Sequence, residues 1–281
     1  EAAACFSKKM TQNLKDKKNI FSRTFHVRIS GTRLRVKSIR VQPDGIIDKS
    51  PTLVFLHEGL GCIEIWRDFP ETICTVTGCS GLVYDRKGYG GSENIEESWP
   101  VDYLQKESLI YLPQLLKKYN IDDAILIGHS DGGTIALIAA AHSNIIRGII
   151  TEAAHIFVEQ ITIDGIRKAV KAFETTSLKE KFARYHKENT EKIFHRWANR
   201  WLSPEFQDWN IQDILPKINC PALILQGKDD EYGTAAQVMG IADRVSGPVE
   251  VKLIPNCGHV PHFQAKDTVI SEMTRFIKKL F

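Results

Sequence analysis

Residues 124–141 read Ala-Ile-Leu-Ile-Gly-His-Ser-Asp-Gly-Gly-Thr-Ile-Ala-Leu-Ile-Ala-Ala-Ala, an apolar run that stops at Gly128-x-Ser130-x-Gly132 and restarts in small residues. This pattern predicts a strand, a sharp turn and a helix. A glycine two places to either side of Ser130 lets strand and helix approach closely enough to lift the hydroxyl clear of both. Such a turn presents a nucleophile. The five-residue pattern also recurs by chance, so its context carries the reading. A serine hydroxyl is too weakly acidic to attack unaided, and the rest of the chain must supply a base, an acid and donors for an oxyanion.

Working outward, Thr52-Leu53-Val54-Phe55-Leu56 is a continuous apolar run, as expected of a strand buried on both faces, and it empties into His57-Glu58-Gly59-Leu60-Gly61. The spacing of Ile65, Phe69 and Ile73 predicts a helix over Glu64 to Val76. Gly81 to Tyr84 is the next strand, followed by the glycine-rich turn Asp85-Arg86-Lys87-Gly88-Tyr89-Gly90-Gly91-Ser92. A second helix is predicted over Val101 to Tyr119, despite Pro113 within it. Upstream, Thr24 to Ile29 and Arg33 to Val41 form a hairpin around Gly31. Downstream, strands are expected at Gly148 to Thr151, Cys220 to Gly227 and Val249 to Ile254. Helices are expected at Thr134 to Ala141, Thr234 to Val245 and Asp267 to Phe281. Alternation of strand and helix at this spacing predicts a parallel sheet. The alternation breaks from His155 to Asn219, where the periodicity is helical and charged throughout. One α/β core (residues 20–154 and 220–281) interrupted by a helical lid (155–219) is therefore expected, with Trp197, Trp201 and Trp209 in the lid.

Composition excludes several functions. At 281 residues, 43% hydrophobic and 25% charged, the chain has ample core for one large α/β domain. A net charge of +3 arises from scattered Lys and Arg. The Lys15–Lys18 cluster reads as a solvated face rather than a nucleic-acid patch. Six cysteines without a CxxC pair favour reduced thiols in a cytoplasm. Glu1 to Phe6 is too short and acidic-led for a signal peptide, and no apolar run reaches the length of a membrane span. His259 and His262 are three apart but no third ligand falls at a metal-binding spacing, and Gly88-Tyr89-Gly90-Gly91 lacks the dinucleotide pattern. The expectation is a small-molecule substrate, no cofactor or metal, no nucleic-acid or membrane partner, and a monomer or homodimer.

In an open parallel sheet the functional edge lies at the carboxyl ends of the strands. His57-Glu58-Gly59, Ser130, Asp229 or Asp230, and His259 all fall there. One nucleophile, one acid and one base on that edge, in the chain order Ser, Asp, His, form a candidate triad. Ser130 would attack, and His259 would take its proton and return it to the leaving group. The acid would fix the imidazole tautomer. The Asp131 N–H, at the elbow, is one expected oxyanion donor.

From about Arg23 to Phe281 the chain resembles the α/β-hydrolase superfamily. The resemblance rests on the histidine-glycine loop, Asp85-x-x-Gly88-x-Gly90-x-Ser92, the elbow, Gly227-x-x-Asp230 and Gly258-His259. It implies an eight-stranded, mostly parallel sheet with helices on both faces and a lid inserted after strand 6. In such families the acid usually stands three residues after the strand-ending glycine, which selects Asp230 over Asp229. They usually read His-Gly-x where this chain has His57-Glu58-Gly59. Ungapped alignment makes Gly59 the second oxyanion donor, and a one-residue insertion would make it Leu60. His57 and His129 read as structural, and Asp85 with Arg86 as residues that hold the loop edge together.

Substrate clues are thinner. Asp131 directly after the nucleophile, with Glu58 and Glu152 on the same edge, would place negative charge beside the reacting carbonyl. The elbow and the helix after it are similar to those of the biphenyl-hydrolase-like esterases, the valacyclovir hydrolases. In those enzymes the corresponding aspartate holds a substrate ammonium, which implies an ester with an amine near the carbonyl. The competing reading has Asp131 capping its helix at the positive end of the dipole. Trp197 and Trp201 are candidate pocket residues. Meta-cleavage-product hydrolases share lid and triad but need a carboxylate-binding residue, for which Arg67, Arg196 and Arg200 are candidates. A binding or receptor protein with little turnover is the reading from another class.

Overall fold

The computed structural model describes residues 20–41, 50–95 and 98–281. The Lys15–Lys18 cluster, Cys5, the Glu1 to Phe6 start and the loop at Pro43-Asp44-Gly45 lie outside the described residues. A sheet of eight strands runs in the order β1-β2-β4-β3-β5-β6-β7-β8. β1 (Ile20–Ile29) and β2 (Thr32–Val41) are an antiparallel hairpin, and β2 pairs antiparallel with β4 (Gly81–Tyr84). From β4 onward every pairing is parallel: β3 (Thr52–Leu56), β5 (Ala124–His129), β6 (Ile146–Glu152), β7 (Ala222–Gly227) and β8 (Val249–Ile254). The expected mostly parallel, eight-stranded α/β sheet is thus present. Its strand order reverses at β3, because β4 lies to one side of it and β5 to the other. The loops after β3 and β5 therefore splay apart and open a crevice at the carboxyl edge.

The strand sequences explain the two cores. Along β5, Ala124 and Leu126 pack on one face while Ile125 and Ile127 pack on the other, all buried. This is the two-residue alternation of a pleated strand covered on both sides. One face carries α1 (Phe69–Thr77) and the C-terminal α10 (Lys266–Ile277). The other carries α4 (Asp131–Ala140) and the helices flanking it. α8 (Ala235–Ala242) lies between β7 and β8, and α9 (Pro261–Gln264) just precedes α10.

Two predicted helices differ. The stretch after β3 becomes helical only at Phe69, since Arg67 sits at φ 53° and Ile65, Arg67 and Phe69 close successive turns onto Cys62, Glu64 and Trp66. Pro70 then fixes the start of the helix. Val101 to Tyr119 resolves into α2 (Tyr103–Lys106), a π-helical turn (Glu107–Tyr111) and α3 (Leu112–Lys118). Pro113 has no N–H to continue an α-helical ladder, and the wider turn directly before it absorbs the missing bond. Between β6 and β7 stand α5 (Gln160–Thr175), α6 (Leu178–His186) and α7 (Thr190–Leu202), with short 3-10 turns. Their apolar faces share a core with the sheet through Ile166, Phe194 and Trp197.

Candidate active site

Ser130 occupies the turn between β5 and α4 at φ 51° and ψ −117°. An L-residue holds such a backbone only when its surroundings impose it. Here the Ser130 N–H donates to the Glu152 carbonyl at 2.8 Å, and the Ser130 carbonyl accepts from Thr134 N–H at 3.1 Å. The two flanking glycines are required by contact. A Cβ on Gly128 would stand 2.1 Å from the Gly132 carbonyl oxygen, and one on Gly132 would stand 1.9 Å from that of Leu56.

Loops after β7 and β8 bring two more groups to Ser130. His259 Nε2 is 3.0 Å from Ser130 Oγ, and His259 Nδ1 is 2.8 Å from Asp230 Oδ1. An ionised carboxylate only accepts, so Nδ1 carries the ring proton and Nε2 is left to accept from the hydroxyl. Asp230 Oδ1 also accepts Tyr232 N–H at 2.9 Å. Burial opposes ionisation of Asp230, but His259 outweighs it and holds the carboxyl below the usual range. Asp229 is exposed, and its N–H donates to the Cys257 carbonyl. Of the two acids, Asp230 is the one that meets His259.

The residue before the nucleophile supports the base. His129 Nε2–H donates to the His259 carbonyl at 2.7 Å, while His129 Nδ1 lies 3.7 Å from Glu58 Oε2, a distance for an ion pair rather than a hydrogen bond. Burial works against a charge on either group. Glu58 nevertheless raises the His129 ring pKa, and His129 with His57 brings Glu58 down to about 2.

The loop after β3 is held by donors from elsewhere. Arg86 N–H donates to His57 Nε2 at 3.1 Å, which leaves the ring proton on Nδ1, and Nδ1–H donates to the Glu58 carbonyl at 2.8 Å. Burial and the adjacent Arg86 hold His57 well below the ordinary histidine range. Arg86 Nη2 reaches the same carbonyl at 2.7 Å. Tyr89 O–H donates to the Gly59 carbonyl at 2.9 Å, and His186 Nε2–H, from the end of α6, donates to that of Leu60 at 2.8 Å.

The glycine-rich turn that carries Arg86 and Tyr89 folds on Asp85. This fully buried carboxylate accepts Ile63 N–H at 2.7 Å and Gly91 N–H at 2.8 Å and pairs with Arg35 Nε at 2.6 Å. Ser92 Oγ closes the turn onto the Asp85 carbonyl at 2.6 Å. Cys62, Glu64 and Asp85 could together hold a cation, but Arg35 is paired with both carboxylates and supplies the positive charge there.

A cavity of about 230 Å³ opens over Ser130. Gly59, Glu58, Asp131, Trp197, Trp201 and His259 all line it, so the sequence-predicted substrate residues are gathered at one place. Phe182, His155, Glu231 and Tyr232 complete much of the wall, and no Lys or Arg is among the described lining residues. Trp197 packs so closely on the loop that a Cβ at Gly59 would stand 2.5 Å from its indole. Trp209 stacks on Phe206 and is absent from that lining.

Other expected residues lie elsewhere. Glu152 is fully buried behind the site, where Oε2 accepts His262 N–H at 2.9 Å and pairs with His262 Nδ1 at 2.8 Å. It adds no charge to the cavity wall, and His262 is engaged away from it. Arg67 stacks over Phe263 at 4.4 Å, Arg196 donates to the Ile95 carbonyl, and Arg200 Nε donates to that of Trp99 at 2.8 Å. None of the three lines the cavity. Asp131 is 1% exposed, and its Oδ2 accepts Tyr103 O–H at 3.0 Å and lies 3.5 Å from Arg86 Nη1. Burial raises the Asp131 pKa, with Arg86 and Tyr103 opposing.

Sequence reasoning did not single out Tyr103, Tyr89, His186 or His155. His155, held down to about 3 by burial and by His259, is a neutral ring in the cavity wall with a buried Nδ1 lacking a partner. Its position three residues past the end of β6, on the carboxyl edge of the sheet, was the available signal.

The model of the alpha/beta hydrolase family matches residues 53–272. The chain is 29% identical over 196 residues to human serine hydrolase BPHL, covering 66% of this chain and 65% of that protein. It spans just under two thirds of the length of the human and mouse proteins of that name. A proline iminopeptidase of Saccharolobus solfataricus is 23% identical over 90% of this chain and 92% of its own. Among solved structures, the enol-lactonase of Burkholderia xenovorans superposes with a TM-score of 0.69 at 17% identity, over 90% of this chain and all of that one. No described helix is long and apolar enough to cross a membrane.

Proposed function

The chain belongs to the alpha/beta hydrolase family and is an enzyme, and on that premise we propose that it hydrolyses a small-molecule carboxylic ester through an acyl-enzyme on Ser130. The observation that carries this reading is the row Ser130 Oγ, His259, Asp230, with contacts of 3.0 and 2.8 Å. His259 accepts the hydroxyl proton as Oγ attacks the carbonyl carbon, then passes it to the leaving alcohol as the acyl-enzyme forms. Water, activated by the same ring, releases the acid and restores the serine. Asp230 holds the ring in the tautomer this needs and stabilises the transient imidazolium. The Asp131 N–H is the first of α4 and has no carbonyl one turn back to bind. Together with the Gly59 N–H it serves the oxyanion. Helices α5 to α7, within residues 155–219, act as a lid that contributes Trp197 and Trp201 to the pocket.

The pocket acids Glu58 and Glu231, in a wall without Lys or Arg, support preference for an amine-bearing ester. The same lack of a cation weighs against carbon-carbon cleavage of meta-cleavage products, whose carboxylate needs a partner. A panel of esters, thioesters and dienoates, with Ser130→Ala as control and labelling by a serine-directed phosphonate, tests the reading. Ester turnover lost in Ser130→Ala together with labelling of Ser130 is expected. Absence of labelling in folded protein would overturn it.

A further inference from the structure

We propose that Arg86 is a positioning residue that ties the two oxyanion donors to one guanidinium, and that the Asp131 carboxylate serves this tie rather than a substrate ammonium. The proposal rests on the Ser130 reading above. The Glu58–Gly59 peptide is trans, so its carbonyl and its N–H point in opposite directions. That carbonyl accepts from Arg86 Nη2 at 2.7 Å, His57 Nδ1 at 2.8 Å and Gly61 N–H at 3.1 Å. Fixing the carbonyl on the Arg86 side turns the Gly59 N–H to the opposite side, where Gly59 lines the cavity over Ser130. The other arm of the guanidinium, Nη1, lies 3.5 Å from Asp131 Oδ2. Asp131 carries the second donor on its own backbone. One planar cation therefore spans from the carbonyl behind the first donor to the carboxylate beside the second.

Arg86 touches neither the cavity nor the reacting atoms. It is 3% exposed, its guanidinium stacks on Tyr89 at 4.7 Å, and it borders a separate cleft with Trp99 and Tyr103 on the far side of the wall. The opposite end of the tie is extended by Tyr103, whose hydroxyl donates to Asp131 and accepts Trp201 Nε1–H at 3.0 Å. A guanidinium suits this task because its donors lie in one rigid plane, whereas an ammonium is a point charge on a flexible stem. A buried carboxylate left without its cation would also be costly, so Arg86 and Asp131 depend on each other.

The test uses a neutral ester, so that no substrate amine confuses the result, and measures kcat, KM and inhibition by an aryl boronic acid. The boron accepts the Ser130 oxygen and places one of its own oxygens where the oxyanion forms. Arg86→Gln is expected to lower kcat about a hundredfold with KM within about threefold, and to weaken the boronate in parallel, as loss of an aligned oxyanion donor does. Arg86→Lys should fall between the two. Asp131→Asn, which loosens the other end without emptying the wall, should lose about tenfold in both kcat and boronate affinity. Circular dichroism and thermal melting establish that each variant is folded. If Arg86→Gln does not fold, Arg86→Lys and Asp131→Asn carry the comparison. Folded variants that keep kcat, or lose it while binding boronate as tightly as before, overturn the proposal. A Ser130→Ala protein that stays active would instead overturn the reading beneath it.

Discussion

The two sides of the candidate oxyanion site are held by opposite means. On one side, Ser130 and Asp131 are fixed by their own backbone: a strained residue between a strand and a helix, with glycine contacts that leave no room for a side chain. On the other side, no residue of the loop from His57 to Gly61 has a positive φ, and its glycines are crowded by side chains, Gly59 by Trp197 and Gly61 by Glu58, rather than by backbone. Each of its carbonyls at Glu58, Gly59 and Leu60 is turned by a side-chain donor, from Arg86, Tyr89 and His186, the last 126 residues away. Local strain gives a position that tolerates almost no substitution. Borrowed hydrogen bonds give one that degrades by steps, the neutral donors contributing about 1 kcal/mol net each and the charged Arg86 about 1.5–3 kcal/mol.

The largest effect should come from the elbow side. Ser130→Ala is expected to lower ester kcat by about 10⁴-fold or more while leaving the melting temperature within a few degrees, since alanine keeps the Cβ and the backbone strain and removes only one oxygen atom. Activity retained above that level would break the contrast at its root. Next comes Gly132→Ala, whose Cβ would meet the Leu56 carbonyl at 1.9 Å. A backbone that must shift at such a crossing should cost about 4 kcal/mol or more, read from urea unfolding.

The loop side also predicts a dependence on pH. His57, His155 and His186 are all buried with their pKa values lowered, burial being the main cause. Between the unfolded value near 6.5 and each lower folded value, the unfolded chain binds a proton that the native protein refuses. The contribution of these three rings to stability is therefore full above about pH 6.5 and falls as pH drops, by up to about 1.4 kcal/mol per pH unit for each ring. His186→Gln keeps a donor for the Leu60 carbonyl but cannot titrate. Its stability should fall less steeply than that of the parent between pH 6.5 and 5, and equal slopes would remove His186 from the account. The smallest effect belongs to Tyr89→Phe, which deletes one donor to the Gly59 carbonyl. A loss of about 1 kcal/mol in stability and a severalfold fall in kcat are expected. A loss as large as that of Gly132→Ala would erase the distinction between the two sides.

The same contrast decides what could be read from the sequence. Elements that follow from short-range pattern were legible: the eight strands, the parallel sheet, the turn at Ser130, and the placing of Asp230 and His259 at strand ends. The partner of Asp131 was not. An aspartate after the nucleophile reads as a free charge until Arg86, 45 residues earlier, is folded against it. Glu152 likewise read as an edge acid because it ends a strand, although its side chain faces the core with His262, 110 residues on. In both cases the pattern gave the position along the chain, but charge pairing depends on long-range packing that periodicity does not encode. Pro113 and Arg67 are smaller instances, where one residue's backbone restriction overrode a helical spacing that was otherwise sound.

His129, whose ring holds the carbonyl of His259, is joined by a peptide bond to Ser130. Nucleophile and base are thus mounted on a common bracket beneath the cavity, and no residue of α5, α6 or α7 forms part of it. The helices above bear on the rest of the site instead: His186 of α6 holds the Leu60 carbonyl, Trp197 of α7 packs on Gly59, and Thr162 of α5 donates to the Tyr232 carbonyl at 2.6 Å. The proton-transfer pair is thus built on the sheet, while the oxyanion loop takes part of its alignment from the helices that roof the cavity.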